Sequence, residues 1–303
     1  MKILVTGANG LLGQHLIKLL LEDRHQVLAT GRGPSRLDIY ERDLYSYEET
    51  DICDWFAVRK LIKNGMPELV IHAAAMTQVD QCELNQASSF EANVRGTANI
   101  LMHAKNLCRF FVYVSTDFVF DGKKGNYKEE DDLNPVNWYG LTKIRAEELV
   151  RRNSIPYAIV RTCLVYGNPL KGTRNNIISW TKENLEVGKR IKVVDDQLRT
   201  PTFVRDLARG ILLLCNKKLP GIFHISGEEA LTPYEMALRT AKYFQYDERL
   251  IERVNAEIFS QPARRPPKTG FVISLAKREL GYAPINFEMG LKAMYSTSEK
   301  PEN

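Results

Sequence analysis

Short apolar runs recur through the first 160 residues of the chain. They occupy residues 3–6, 27–30, 69–72, 110–114 and 157–161, and several are rich in β-branched side chains. Short, continuously apolar runs of this kind are typical of strands in a parallel sheet that is covered on both faces. The polar stretch that follows the second run leaves room for one more short strand near 47–50.

Segments with helical periodicity separate these runs. In the first segment, Leu12, Leu16, Leu19 and Leu20 lie on one face of a predicted helix. The other helical patterns in this half of the chain cover 54–63, 87–104 and 138–152. Strand and helix therefore alternate, which predicts an α/β fold with a doubly wound parallel sheet.

The alternation of predicted strands and helices becomes less regular after Gly167. The later pattern predicts helices at 177–185, 204–214 and 233–244, and strands at 191–194 and 222–225. The polar tail after Ser296 is expected to fray. We therefore expect a smaller α/β C-terminal lobe at the carboxyl end of the sheet, where open α/β sheets bind ligands.

Composition narrows the possible function classes. The 303 residues carry a formal net charge of +5, and 44% are hydrophobic, which is ordinary for a globular protein. The basic residues are scattered and no apolar run reaches about 18 residues, so we expect neither a nucleic-acid partner nor a membrane span. Five cysteines without C-x-x-C spacing, and no continuous secretory signal, predict a reduced cytoplasmic protein. The dispersed histidines predict no metal site.

Gly7, Gly10 and Gly13 lie between the first predicted strand and the first predicted helix. In this context G-x-x-G-x-x-G spacing is typical of the dinucleotide-binding turn of a Rossmann sheet. Gly7 would permit the tight turn, Gly10 would let the backbone approach a pyrophosphate, and Gly13 would let helix and sheet pack closely. The helix would then present free N–H groups to the anion. A tight turn without a ligand is the alternative.

The end of the second strand bears on the choice of cofactor. NAD sites usually place a carboxylate there for the ribose 2′-hydroxyl, whereas this chain has Arg32, which could pair with the 2′-phosphate of NADP. NADP is therefore favoured and NAD remains compatible; a solvated arginine is the alternative. Asp38 could serve the ribose but lies further along than usual. Asp51 and Ile52 could contact the adenine. The alternative, that Asp51 is an ordinary aspartate at the start of a helix, is nearly as good.

Tyr139 and Lys143 form a Y-x-x-x-K pair on one face of a predicted helix. A free tyrosine has a pKa of about 10, and a nearby cation is expected to lower it and so assist proton transfer. Thr116, at the end of the preceding strand, can donate a hydrogen bond to a substrate carbonyl; a turn cap is the alternative. The pair alone is a weak signal, and its position in a dinucleotide fold gives it weight.

The glycine turn, Asn93, the triplet Ser115-Thr116-Asp117 and the Y-x-x-x-K pair occur in the order seen in the extended short-chain dehydrogenase/reductases, which the chain resembles. The segment 114–122 is similar to the S-T-D-Y-V-F-D-G signature of the dTDP-4-dehydrorhamnose reductases. Further similar segments lie at 73–83, 160–167 and 263–266. The resemblance therefore covers nearly the whole chain.

The resemblance implies NADP-dependent reduction of a keto group on a nucleotide-activated sugar. It implies that Tyr139 donates the proton, that Thr116 holds the carbonyl oxygen, that Lys143 tunes Tyr139 and that Asp117 orients a sugar hydroxyl. Together, these lines of reasoning predict cofactor contacts at Gly7, Asn9, Gly10, Leu11, Leu12, Gly13, Arg32, Asp51, Ile52, Ala73, Ala74, Ala75, Asn93, Ser115, Tyr139 and Lys143. The predicted substrate contacts are Thr116, Asp117, Val119, Arg199 and Arg265.

Two positions depart from the family pattern. Leu164 replaces the tryptophan of R-T-x-W, which removes a platform for stacking a sugar. Arg199 replaces the glycine of D-Q-x-G-x-P-T, and it resembles an arginine that other extended reductases and epimerases use against a nucleotide-sugar diphosphate. These changes leave the sugar open without altering the hydride chemistry.

The sequence bears on three alternatives to a reductase: a dehydratase, an epimerase and a non-catalytic regulator. Dehydratases of this superfamily carry glutamate where this chain has Phe118, so dehydration is disfavoured. An epimerase would retain its NAD and would not need Asp117. The regulatory β-subunit of methionine adenosyltransferase resembles these reductases and serves as a binding protein, so a non-catalytic NADP-binding regulator is a further alternative.

The expected organisation has two parts. Residues 1–167 would form the dinucleotide-binding Rossmann domain, with later segments at about 191–225 partly returning to it. Residues 168–303 would form mainly the substrate-binding lobe. A homodimer is compatible with the sequence.

Overall fold

A computed structural model describes residues 1–39, 43–168, 172 and 175–295; the predicted frayed tail after Ser296 lies outside them. The strands are β1 (Lys2–Thr6), β2 (Gln26–Gly31), β3 (Tyr45–Glu49), β4 (Leu69–His72), β5 (Phe110–Thr116), β6 (Tyr157–Thr162), β7 (Val165–Tyr166), β8 (Ile191–Val194), β9 (Thr202–Phe203), β10 (Gly221–His224) and β11 (Ile251–Val254). The helices are α1 (Leu11–Glu22), α2 (Trp55–Gly65), α3 (Val79–Leu84), α4 (Gln86–Phe90), α5 (Gly96–Ala104), α6 (Trp138–Arg152), α7 (Ile177–Glu186), α8 (Val204–Lys217), α9 (Pro233–Phe244), α10 (Ser274–Leu280) and α11 (Phe287–Tyr295).

Seven strands form the central sheet in the order β10-β6-β5-β4-β1-β2-β3, and every neighbouring pair is parallel. The chain starts at β1, builds outward through β2 and β3, and then crosses back to β4. This reversal creates a switch point between β1 and β4, where open α/β sheets bind ligands. Thr6 pairs in register with Thr30 on one side and His72 on the other, so the carboxyl ends of these strands meet at one edge. The predicted doubly wound sheet is confirmed.

Apolar side chains cover both faces of the sheet. On one face Ile3 and Val5 of β1 pack with residues of α1 and α8, and on the other Leu4 packs with residues of α2, α5 and α6. Alternate residues of a strand face opposite sides, which is why a run such as Ile3–Val5 must be apolar throughout. Burial of each such side chain contributes about 1.5–3 kcal/mol.

The segment predicted as one helix at 87–104 is interrupted. The chain forms α4, then a π-helical turn over Glu91–Arg95, and then α5. Such turns insert one residue into a helix and are frequent at functional sites. Here the turn carries Asn93, which is buried.

The C-terminal lobe has its own small sheet, because β8 pairs with β11 and not with the central strands. Helices α7 and α9 pack against it around Leu185, Ile191 and Ala237. Within the segment 191–225, α8 packs on α1 and β10 joins the central sheet, whereas β8 stays in the lobe. None of the described helices is long and apolar enough to cross a membrane.

Candidate active site

The glycine turn brings backbone close to backbone. Gly7 has a φ of 73°, and a Cβ atom there would lie 2.8 Å from the Ala74 nitrogen at the end of β4. A Cβ atom at Gly13 would lie 2.3 Å from the Gly7 carbonyl oxygen. Larger residues would therefore force the turn apart. Helix α1 starts after Gly10 with no side-chain cap, so its first N–H groups are left to an anion or to water. The turn thus fits a dinucleotide pyrophosphate.

The side chains of Leu11 and Leu12 face away from such an anion. Both pack against the apolar cluster of the lobe that includes Tyr166 and Ile178. Any cofactor contact at these two positions therefore comes from their backbone. The apolar side chains join the start of α1 to the lobe.

Asp51 and Ile52 follow β3, where the adenine was predicted. The Asp51 carboxylate accepts a hydrogen bond from the Cys53 N–H at 2.9 Å and is exposed. The Ile52 side chain is buried beneath Gly96, and its carbonyl oxygen accepts a hydrogen bond from Asn99 at 2.9 Å. Asp51 is thus accessible to a ligand, whereas Ile52 packs into the core.

Residues 73–75 leave β4 beside the glycine turn, and side chains hold their backbone. The Ala74 N–H donates to Thr6 Oγ1 at 3.1 Å. Asn93 Oδ1 accepts from the Met76 N–H at 2.7 Å, and Asn93 Nδ2 lies 3.0 Å from Thr142 Oγ1. Thr142 lies between Tyr139 and Lys143 on α6, so Asn93 ties the end of β4 to the helix that carries the predicted catalytic pair.

Tyr139 and Thr116 come together at the carboxyl end of β5. Both are buried, and the Thr116 hydroxyl lies close enough to Tyr139 to affect its pKa while donating a hydrogen bond to Asp117 Oδ1 at 3.1 Å. Burial raises the pKa of Tyr139; the Thr116 hydroxyl lowers it only in part, and the Asp117 charge raises it further. The charge of Lys143 is not among the main causes of this shift, so its tuning of Tyr139 stays a prediction. A raised pKa means that Tyr139 holds its proton firmly.

Lys143 points toward β5. Its ammonium donates to the Val114 carbonyl oxygen at 2.7 Å and lies 4.1 Å from the centre of the Tyr113 ring. Burial lowers the pKa of Lys143 to about 7, while the Glu147 charge acts in the opposite direction. The Lys143 ammonium is thus buried near Tyr139, but its hydrogen bond goes to the backbone of β5.

Ser115 belongs to an internal ion-pair network. Its hydroxyl donates to Glu147 Oε1 at 2.6 Å, and Glu147 Oε2 pairs with Arg161 at 2.8 Å and with Arg151 at 3.1 Å. Arginine hydrogen bonds keep the pKa of the Glu147 carboxyl below its usual range even though burial opposes this. Sequence reasoning missed Glu147, although it lies one helical turn beyond Lys143.

Asp117 and Arg199, both predicted to contact the substrate, are buried. Asp117 Oδ2 accepts hydrogen bonds from Thr269 and, at 3.3 Å, from Cys163, and it lies 3.8 Å from Arg199 Nε. The Arg199 guanidinium donates to the carbonyl oxygens of Pro266 at 2.7 Å and of its neighbours Leu198 and Pro267. These contacts, with one to Gln197 Oε1 at 3.2 Å, engage both terminal nitrogens of the guanidinium, so Arg199 holds the 266–269 segment across the end of β5.

The other two predicted substrate residues, Val119 and Arg265, lie in different parts of the structure. Val119 is fully buried in the core, so its side chain cannot reach a ligand; that prediction fails because the turn after Thr116 packs inward. Arg265 pairs with both carboxylate oxygens of Asp80 at 2.6 Å. Arg265 also lines a cavity of about 210 Å³ in the lobe, together with Ile177, Trp180, Lys192, Val193, Val194, Gln197, Pro233, Phe259 and Gln261.

Sequence reasoning did not identify the aromatic residues of this cavity. Trp180 lies on α7 and Phe259 on the loop after β11, so only the fold brings them together. Within the described part of the chain, no group of three or more histidine, cysteine or acidic side chains could hold a metal ion.

Comparisons with known proteins extend these observations. The family model for the RmlD substrate binding domain matches residues 1–299. The structure of a dTDP-4-dehydrorhamnose reductase from Clostridium acetobutylicum is 30% identical and has a TM-score of 0.86, with 99% of this chain and 100% of that chain covered. The enzyme of the same name from Bacillus anthracis, in complex with NADP, is 27% identical with a TM-score of 0.82, and 97% and 98% are covered. Methionine adenosyltransferase 2 subunit beta from Xenopus tropicalis is 33% identical over 248 residues, which are 80% of this chain and 72% of the relative.

Proposed function

The chain belongs to the family described by the RmlD substrate binding domain, and we propose that it reduces the keto group of a nucleotide-activated sugar with NADPH, as a dTDP-4-dehydrorhamnose reductase does. One observation carries the proposal: the buried side chains of Thr116 and Tyr139 lie together at the carboxyl edge of a sheet whose first turn fits a dinucleotide. The family resemblance of the whole chain supports the same activity.

We assign two roles to side chains of the protein: delivery of a proton to the substrate and orientation of its carbonyl oxygen. When bound, NADPH would supply the hydride for the carbonyl carbon. Tyr139 donates its phenolic proton to the carbonyl oxygen as negative charge develops there. Thr116, whose hydroxyl lies beside Tyr139, orients that oxygen. Burial raises the pKa of Tyr139, so the phenol is protonated near neutral pH, and a nearby cation must stabilise the phenolate for the proton to be released.

The buried ammonium of Lys143 supports this step electrostatically. Its charge lies in the same low-dielectric cluster as Tyr139, so it stabilises the phenolate that remains after proton donation. We further propose that Lys143 holds the nicotinamide ribose; its buried ammonium beside β5 and the Y-x-x-x-K spacing support this role. Asp117 acts indirectly, by holding Thr269 and Arg199 behind Thr116.

The lobe cavity supports the nucleotide part of the substrate. Trp180 and Phe259 offer aromatic surface, Gln197 and Gln261 offer amide groups, and Lys192 offers a cation. Aromatic walls with few polar groups are typical of sites for small molecules with a flat ring and a charged tail. We propose that the base lies here, near Arg265. A cytoplasmic homodimer remains a prediction. Size-exclusion chromatography of the purified protein tests whether it is a dimer.

The test is NADPH oxidation with dTDP-4-dehydrorhamnose, followed by nicotinamide absorbance. We expect turnover with the wild type and a loss of at least about 100-fold in kcat for Tyr139→Phe, because the proton donor is gone. Tyr243→Phe, on the exposed side of α9, serves as the matched control and should keep its activity. Turnover of Tyr139→Phe close to that of the wild type would exclude Tyr139 from the reaction.

A second function is favoured by one observation, the 33% identity to methionine adenosyltransferase 2 subunit beta. A binding protein of that kind would take up NADPH without oxidising it. The same assay separates the two, since cofactor binding without turnover on any nucleotide-linked keto sugar would support the regulator. The intact set of Thr116, Tyr139 and Lys143 favours the reductase.

A further inference from the structure

The loop after β2, residues 31–36, is held to the glycine turn by one side chain. Asn9 Nδ2 lies 3.1 Å from the carbonyl oxygens of Arg32 and Pro34, and Asn9 Oδ1 accepts a hydrogen bond from the Arg36 N–H at 3.0 Å. Asn9 itself belongs to the glycine turn. The side chain predicted from sequence to contact the cofactor therefore joins the turn to the loop.

Tyr47 of β3 completes this arrangement. Its hydroxyl accepts a hydrogen bond from Asn9 Nδ2 at 3.0 Å and lies 3.1 Å from the Gly31 carbonyl oxygen and 2.5 Å from that of Gly33. We call the side chains of Asn9 and Tyr47 the loop clamp. Burial raises the pKa of Tyr47, so its hydroxyl keeps the proton that it donates to the loop.

The clamp restricts a segment that would otherwise be free to move. Surface loops usually leave their carbonyl groups to water and fluctuate. Here the carbonyl oxygens of Gly31, Arg32, Gly33 and Pro34 all lie within hydrogen-bond distance of the two clamp side chains, which share three donor hydrogens among them. The backbone that carries Arg32 is thus fixed before any ligand arrives.

The Arg32 side chain is available. It is exposed, and it makes no hydrogen bond or ion pair with the described residues. Its charge lowers the pKa of the Cys53 thiol slightly, although burial raises that pKa more, which places the guanidinium near the loop after β3. In dinucleotide folds the adenosine ribose binds at the end of the second strand. An exposed guanidinium, carried on the held backbone, lies at that end.

We propose that the loop clamp sets the selectivity for the cofactor's 2′-phosphate, by holding Arg32 in place to pair with it. The inference rests on the proposed use of NADPH. Asn9 and Tyr47 are positioning residues that act through the loop backbone. Ordering a loop on binding costs affinity, and a loop that is already ordered avoids this cost. Only a ligand with the 2′-phosphate gains, because a ligand without it makes no use of Arg32.

The test compares 2′,5′-ADP with 5′-AMP, two probes that differ in the 2′-phosphate, by titration calorimetry. For Tyr47→Phe, which keeps the ring and removes the hydroxyl, we expect the Kd of 2′,5′-ADP to rise about tenfold while that of 5′-AMP stays within about twofold. Asn9→Ala should weaken both probes, because Asn9 also shapes the glycine turn. Tyr243→Phe, far from the loop, is the control and should change neither.

A double-mutant cycle shows whether the clamp acts through Arg32. Arg32→Ala should itself weaken 2′,5′-ADP selectively, and Tyr47→Phe added to it should have no further effect on that probe. Additive effects, equal weakening of both probes by Tyr47→Phe, or no change with either single variant would overturn the proposal. Thermal unfolding verifies that each variant is folded. A protein that discriminates the probes but fails to turn over keto sugars would refute the proposed reductase function and leave this inference standing.

Discussion

Lowering the pH from 7 to 5 should destabilise the fold through histidines that are buried in their neutral form. His224 is the clearest case, because it is buried and stacks on Phe271 with ring centres 4.0 Å apart. Burial lowers the pKa of His224 to about 3; the Arg161 charge acts in the same direction, while a hydrogen bond to the Tyr127 carbonyl and the Asp131 charge oppose it.

The sign follows from proton binding. The unfolded chain takes up a proton on this histidine below its ordinary pKa of 6.5, whereas the folded chain takes it up only near 3. The contribution to stability is therefore fully present above about pH 6.5 and is lost as the pH falls toward 3. At pH 5, which is 1.5 units below 6.5, the loss amounts to about 2 kcal/mol at 1.36 kcal/mol per unit. His72, with a pKa of about 3, should add a similar loss.

The assay is urea unfolding at pH 7 and at pH 5 for the wild type and for His224→Asn. Asparagine retains a donor near the position of Nδ1, which faces the Tyr127 carbonyl oxygen, and cannot take up the proton. Comparing the difference between the two pH values within each protein cancels the packing cost of the substitution. We expect the difference to shrink by about 2 kcal/mol in His224→Asn. His103→Asn, which lies nearer the surface, should change it less.

If the difference in unfolding free energy between pH 7 and pH 5 were the same in His224→Asn as in the wild type, the prediction would be wrong, because the proton-linked loss would then arise elsewhere. Glu129 and Asp206 do not confound the comparison. Burial raises the pKa of both carboxyl groups, so they act with the opposite sign and are present in both proteins.

Two further predictions concern the ion-pair network and the glycine turn. Glu147→Gln should lower the free energy of unfolding by about 3–5 kcal/mol, because it leaves Arg161 buried without its partner; urea unfolding at pH 7 measures this, and a loss below 1 kcal/mol would contradict it. Gly13→Ala should weaken NADPH binding in a fluorescence titration and cost about 1–3 kcal/mol of stability, since the added Cβ meets the Gly7 carbonyl oxygen; wild-type affinity would contradict the assigned turn.

Local patterns predicted much of this molecule. The apolar runs identified the central strands because a parallel sheet must be buried on both faces, and the helix predicted at 138–152 matches α6. The glycine turn was recognisable from the spacing of its three glycines between a strand and a helix; Gly10 and Gly13 approach the Gly7 carbonyl oxygen, whereas Gly7 approaches the distant Ala74. Tyr139 was found from its Y-x-x-x-K spacing at the start of α6, and Thr116 from its place at the end of β5.

Long-range contacts account for what local patterns could not predict. Arg199 and Asp117 turned inward because the 266–269 segment, far away in sequence, supplies carbonyl and hydroxyl partners for them. Lys143 faces the Val114 carbonyl oxygen, since β5 passes beneath α6. The helix spacing fixed which face it shares with Tyr139 but not what that face meets.

The most direct test of the proposed chemistry follows a hydride. The protein is incubated with dTDP-4-dehydrorhamnose and NADPH carrying deuterium at the reactive carbon of the nicotinamide, with each of the two labelled epimers in turn. Mass spectrometry of the sugar nucleotide should show a reduced product heavier by one deuterium with one epimer only. Bound cofactor with no labelled product from either epimer would contradict the assignment of this chain as a keto-sugar reductase.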